Sequence, residues 1–210
     1  MFEYLSSPMR WCEPKFLYSI YIAEFWNSIT SLIFCLIGAY GYYNHRNLGI
    51  SNTPWYLLAL IGMTSFLFHL TLSFVGQFLD ELSIILLVSY CLKELYDLND
   101  LIYYFILTIL SLVSWFFPFA SPFIFITSGT CLALSTYVSI KNNEARKLWN
   151  YCINTGLFSV LLWGIDFICY INTHMYWHIV VSFSAYLMIL YVINNKKNYK
   201  ISNSYLPILF

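Results

Sequence analysis

Apolar residues run through this chain in long blocks separated by short polar breaks, and the breaks mark out seven stretches. The first, residues 18–43, ends at Asn44, His45, Arg46 and Asn47. The second, 54–74, is followed by a tight turn at Gly76, and the third, 77–95, ends among Lys93, Glu94, Asp97, Asn99 and Asp100. The fourth, 101–117, stops at Pro118; the fifth, 122–140, gives way to the loop KNNEARK. Stretches four and five can also be read as one broken hairpin. The sixth covers 148–170 and the seventh 174–193, after which a polar tail carries Lys196, Lys197 and Lys200. A helix needs roughly 20 residues to cross a hydrocarbon core of about 30 Å. Lipid offers no partner to unpaired backbone groups, so spanning segments of this kind are helices. The pattern predicts an all-α integral membrane protein with seven transmembrane helices. It forms one domain over 1–210, with an outer N-terminal segment (1–17) and a cytoplasmic tail (195–210).

Composition agrees with that reading. The chain is 60% hydrophobic, 21% aromatic and 10% charged, against about 25% charged in soluble domains. Its formal net charge of zero excludes a nucleic-acid partner, and nothing points to an obligate protein partner. The N-terminus, MFEYLSSPMRWCEPK, lacks the basic region and apolar core of a cleaved signal peptide. Lys and Arg stay on the cytoplasmic side. With the N-terminus outside or lumenal, the cytoplasmic segments hold Arg46, Lys93, Lys141, Arg146, Lys147, Lys196, Lys197 and Lys200, and the outer ones only Arg10 and Lys15.

That orientation brings scattered polar residues to one depth. Ser65 and His69 fall in the outer third of the second stretch, and Asp80 and Glu81 near the outer end of the third. Asp166 comes late in the sixth, His174 and His178 open the seventh, and Glu24 comes early in the first. Ionisable groups inside spans are expensive and mark function. In HMYWH, His174 and His178 are four residues apart and share one helix face. With His69 they make a three-histidine set with a fourth position open for water, the arrangement of catalytic zinc. The alternative is that histidines at helix ends simply hydrogen-bond their neighbours. Zinc would lower the pKa of water towards about 7 and polarise a carbonyl. Ser65 shares a face with His69 and either donates to an oxyanion or bonds its own helix backbone. Asp80 either moves a proton from water to a leaving amine or accepts from a histidine N–H. Glu81 points about 100° away from Asp80 on a helix, which makes it the weaker candidate. Asp166 either supports a ligand from outside or pairs with outer-face polar groups. His45, beside Arg46 at the opposite face, reads as a loop residue.

At these residues the chain resembles the alkaline ceramidases. The matching pieces are WCE (11–13), YIAEFWN (21–27), SFLFH (65–69), LDEL (79–82), WGID (163–166) and HMYWH (174–178). They occur in the family's order from the N-terminal segment to the last stretch. The resemblance implies a seven-helix fold, zinc on His69, His174 and His178, and catalytic roles for Ser65 and Asp80. It implies hydrolysis of the ceramide amide to a sphingoid base and a free fatty acid, by a multi-pass enzyme of the endoplasmic reticulum or Golgi in a eukaryote, or of a cell or inner membrane otherwise.

The family also binds calcium beside the zinc. Here the Trp11 carbonyl, Glu13 and Glu24 match, but Arg10 and Lys15 stand where the pattern has an acidic residue and an asparagine. Calcium takes about six to eight oxygen ligands and two nearby cations repel it. The calcium site is therefore expected to be degenerate, with Lys15 pairing Glu13 and Glu24. Cys12 and Cys169 both fall near the outer face, and the resemblance supports a disulfide between them; two free thiols are the alternative. The other four of the six cysteines read as small apolar residues. Other readings are hydrolysis of a different lipid amide, a zinc-containing seven-helix receptor of the adiponectin and progestin receptor type, and a structural zinc protein. The outer connection between stretches six and seven is so short that little lid is expected over the site.

Overall fold

The computed structural model describes residues 6–46 and 51–197. Among these, seven α-helices follow one another: α1 (Phe25–His45), α2 (Thr53–Thr71), α3 (Phe74–Tyr96), α4 (Asp100–Phe116), α5 (Ser121–Val138), α6 (Asn143–Phe167) and α7 (His174–Lys197). A 3-10 turn, Pro118–Ala120, joins α4 to α5, so stretches four and five are separate helices. Among the described residues, four segments are long and apolar enough to cross a membrane: Thr53–Thr71, Phe74–Tyr96, Pro118–Val138 and His174–Asn195. Helix α4 is apolar but shorter. Helix α1 is made more polar by Asn27, Ser28, Thr30 and Ser31, and α6 by Asn150 and Asn154.

The exterior is apolar and one end of the interior is polar. Helix α4 buries only Tyr103 and Ser114 while exposing Leu101, Ile102, Tyr104, Phe105 and Leu112. Apolar exposure on that scale marks a surface meant for lipid rather than water. Inside, Phe34, Trp55, Leu58, Ile61, Leu187 and Ile189 belong to one apolar cluster. Glu24, Asn27, Ser31, Ser65, His69, His174 and His178 are equally buried, at the end where α1 and α7 begin and α2 finishes.

The helix ends explain where the expected boundaries move. The first stretch does not become helical at residue 18. Helix α1 begins at Phe25, because the carboxylate of Glu13 accepts from the Trp26 and Asn27 amides at 2.7 and 2.8 Å. An acid at a helix N-terminus satisfies orphan N–H groups and complements the dipole. The α2–α3 turn lies at Leu72 and Ser73 rather than at Gly76: Leu72 is left-handed (φ 49°), and Ser73 accepts from the Gly76 amide at 3.0 Å. The KNNEARK segment is not a loop throughout. Asn142 accepts from the Ala145 amide at 2.7 Å and starts α6 at Asn143, as an N-cap asparagine does. Helix α7 runs on to Lys197, into the expected tail; Asn47 and residues 198–210, with Lys200, lie outside the described residues.

Helix α1 packs chiefly on α2 and α7, α6 on α7 and α2 on α3, whereas α5 meets α6 only lightly. The α1–α2 crossing is close enough to need glycine. A Cβ on Gly62 would stand 2.6 Å from Cys35 Sγ and 2.8 Å from the Cys35 amide nitrogen; one on Gly38 would meet the Trp55 carbonyl at 2.8 Å. Small residues let transmembrane backbones approach in this way. The approach brings the start of α1 against the end of α2, where the Glu24 and Ala23 amides donate to the His69 and Leu70 carbonyls, each at 3.0 Å. Gly62→Val should therefore destabilise the fold by about 1–3 kcal/mol through overpacking, read as a lowered melting temperature in detergent; an unchanged melting temperature would show that the crossing has slack.

Candidate metal centre

His69 ends α2, and His174 and His178 begin α7. Their donor nitrogens lie within 4.8 Å of one another, and all three residues are buried. Ring centroids are 5.0 Å from His69 to each of the others and 4.6 Å between His174 and His178. Two rings are oriented from outside. Glu24 Oε2 lies 2.6 Å from His69 Nδ1, and Thr30 Oγ1 lies 2.9 Å from His178 Nδ1. Thr30 donates its own hydroxyl to the Trp26 carbonyl at 2.8 Å, so it accepts the histidine N–H. Both rings then turn an Nε2 lone pair inward, as supporting acceptors do at metal sites. His178 Nε2 and His174 Nδ1 are buried without any protein partner. An orphaned buried polar atom costs about 1–3 kcal/mol, and two of them within a three-histidine cluster fit a metal ion.

His174 lies between two indoles, Trp11 at 3.8 Å and Trp177 at 4.8 Å between ring centroids, both stacked. Trp11 reaches it because the N-terminal segment folds back over the site. The Ser7 amide donates to the Leu72 carbonyl at 2.8 Å, Ser6 bridges Ser73, and Cys12 joins Cys169 in a disulfide. The expected scarcity of lid is thus corrected: the cover comes from residues 6–15, not from the α6–α7 connection. Asp166 supports no histidine ring. Its Oδ2 accepts from the Cys12 amide at 3.0 Å, and its Oδ1 accepts from the Thr173 and His174 amides at 2.9 and 3.1 Å. It caps α7 and pins the lid with one carboxylate.

Lys15 lies where the resemblance puts calcium. Its ammonium donates to the Trp11 carbonyl at 2.7 Å and the Glu13 carbonyl at 2.9 Å and pairs with Glu24 Oε1. The pairing with Glu24 is as expected. Glu13 meets Lys15 through its main-chain oxygen, because its carboxylate caps α1. Arg10 is exposed.

Ser65 accepts from Ser31 Oγ at 3.1 Å, and the Oδ1 of Asp80 is buried and unpartnered. Asp80 and His174 line one cavity enclosing about 630 Å³ of atom-free space, its open mouth included. Phe68, Ile84, Phe125, Trp163 and Trp177 are among its apolar walls, and Glu81 borders it too. Glu81 therefore shares the cavity with Asp80. Among the residues that sequence reasoning missed are Thr30, Ser31 and Asn27, whose Nδ2 donates to Glu24 Oε2 at 3.0 Å. Their signal was present: Glu24, Asn27, Ser28 and Ser31 repeat at helical spacing within an apolar stretch.

The Ceramidase family model matches residues 3–206. The alkaline ceramidase of Drosophila melanogaster is 28% identical over 217 residues, covering 88% of this chain and 75% of that protein. Alkaline ceramidase 1 of Mus musculus is 27% identical over 211 residues (87% and 77%), and alkaline ceramidase 3 of Mus musculus is 26% identical over 231 residues (92% and 85%).

Glu24→Gln keeps the shape but removes the charge facing His69. Metal affinity, measured by competition with a chelator, should fall about 10- to 100-fold; unchanged affinity would remove Glu24 from the metal's support.

Proposed function

The chain belongs to the ceramidase family, and on that premise we propose that it hydrolyses the amide bond of a ceramide-like membrane lipid, releasing a sphingoid base and a free fatty acid. The observation that carries this reading is the buried three-histidine cluster, whose His174 lines the same cavity as Asp80. His69, His174 and His178 would hold zinc. Three histidines with an open fourth position suit a catalytic zinc, which when bound supplies Lewis acidity, lowering the pKa of water towards about 7 and polarising a carbonyl.

The remaining steps belong to the chain's own side chains. Asp80, through its unpartnered oxygen, takes a proton from the attacking water and returns it to the amide nitrogen as the C–N bond breaks. Water thus supplies OH to the acyl carbon and H to the amine, and the products are a carboxylic acid and a free amine. Ser65, already supported by Ser31, offers its hydroxyl to the carbonyl oxygen as charge grows there. Trp11 and Trp177 fix the ring plane of His174, and the lid keeps bulk water off the reacting atoms.

The chain is a single membrane domain crossing seven times, with the N-terminus lumenal or outside. This orientation puts Arg46, Lys93, Lys141, Arg146 and Lys147 on the cytoplasmic side. The site then lies close to the outer interface, where a two-chain lipid presents its amide. An endoplasmic reticulum or Golgi membrane suits such a chain in a eukaryote.

In purified wild-type protein, zinc should be stoichiometric and the amide of N-acylsphingosine should be cleaved, whereas His174→Ala should lose both metal and turnover. Hydrolysis retained without metal would refute the mechanism, and lipid binding without turnover would turn the reading towards a receptor. Because Lys15 fills the oxygen cage, added calcium should leave the rate unchanged; several-fold activation at low micromolar calcium would overturn that assignment.

A further inference from the structure

Glu81 is the ionisable group lining the cavity to which the mechanism gives no task. Its Oε1 accepts from Gln77 Nε2 at 2.6 Å and its Oε2 from Ser121 Oγ at 2.6 Å. Gln77 is itself fixed from the lid, where Ser7 Oγ donates to its Oε1 at 2.6 Å. That bond decides which way the amide faces and aims its NH₂ at Glu81. Gln77 and Ser121 are both buried. Neither Lys nor Arg pairs with Glu81 among the described residues, and it caps no helix. The carboxylate is therefore held from two sides, by α3 with the lid and by α5, in one orientation.

Each carboxylate oxygen can accept two hydrogen bonds, so each retains one free acceptor site. Both Glu81 and Ser121 line the cavity shared by Asp80 and His174. An apolar lipid chain lying against them would leave polar atoms facing hydrocarbon, which costs free energy. A ligand group that donates hydrogen bonds removes that cost. In a sphingoid amide, hydroxyl groups sit on the carbons flanking the one that bears nitrogen. Glu81 directly follows Asp80 in the chain and lines the same cavity, so a hydroxyl three bonds from the amide nitrogen falls within reach of it.

We propose that Glu81, supported by Gln77 and Ser121, receives a hydroxyl of the lipid headgroup and makes the enzyme selective for lipid amides hydroxylated beside the nitrogen. This rests on the function proposed above. A site built to hydrogen-bond a substrate hydroxyl discriminates strongly against the analogue without it, because its own polar groups are then left unpaired.

The test compares kcat/KM for N-acylsphingosine with that for an N-acyl-2-aminoalkane lacking both hydroxyls, using zinc-loaded protein. Wild type should prefer the hydroxylated substrate by about tenfold or more. Glu81→Gln should shrink that ratio by about tenfold while leaving turnover of the hydroxyl-free amide within about threefold of wild type. Ser121→Ala leaves the carboxyl in place and should shrink the ratio in the same direction by less. It also serves as the second arm if Glu81→Gln does not fold, with zinc content and melting temperature as the check. An equal loss on both substrates in the variants would make Glu81 merely structural and overturn the proposal. So would a wild type that cleaves both amides equally, with the ceramidase reading intact. A wild type that cleaves neither overturns that reading and this proposal together.

Discussion

A carboxylate sealed from water must find a donor for each oxygen, and Glu24 finds them in three parts of the chain. Lys15 of the lid, Asn27 of α1 and His69 of α2 converge on it. An uncompensated buried charge is strongly destabilising, so this convergence sets where those parts can lie. Because Glu24 immediately precedes α1, fixing it also fixes the register of α1 against α2, the register that the Gly62 and Gly38 contacts allow. The orientation of His69 follows from the same charge, and through it the geometry of the three-histidine set.

The lid is held by the same economy of acidic groups. Glu13 starts α1, Asp166 starts α7, and each does so while gripping or belonging to the N-terminal segment. Helix ends in an apolar protein leave amides without water to solvate them. Using the lid's own acid for one end, and an acid that also holds the lid for the other, satisfies those amides and closes the site together. Lys15 then balances Glu24 with a cation that belongs to the chain. Folding of the lid and assembly of the site are in this sense one event.

Much of this was legible in the residues. His69, His174 and His178 could be grouped because helical spacing and membrane depth are both read from position along the chain. The resemblance supported a Cys12–Cys169 pairing against the alternative of two free thiols, and charge pointed to the approach of Lys15 to Glu24. The start of α1 was not legible: residues 18–24 are as apolar as a span, and the capping acid, Glu13, lies 13 residues ahead of Trp26 in sequence. The start of α6 was missed for the opposite reason, since polar KNNEARK looks like a loop unless Asn142 is recognised as a cap. That Glu81 shares a cavity with Asp80 was not legible, because a helical wheel gives direction about one axis. Whether two neighbouring side chains share a cavity depends on α5 and the lid, which the wheel does not contain. Asp166 was left between two roles because its partners are backbone amides, and these carry no residue-type signal.

The cover over the site is fastened at both ends, by the Ser6–Ser73 bridge and the Ser7 amide on one side and by the disulfide on the other. It therefore cannot act as a hinged door. The cavity walls that remain include Phe125 of α5 and Trp163 of α6, helices that touch only lightly. On the proposed seven-span reading, traffic is left to the plane of the bilayer. An enzyme supplied in two dimensions responds to the mole fraction of its substrate among neighbouring lipids, not to an amount per unit volume. Its products also re-enter the same crowded leaflet, so local lipid composition, more than bulk concentration, governs how far the reaction runs.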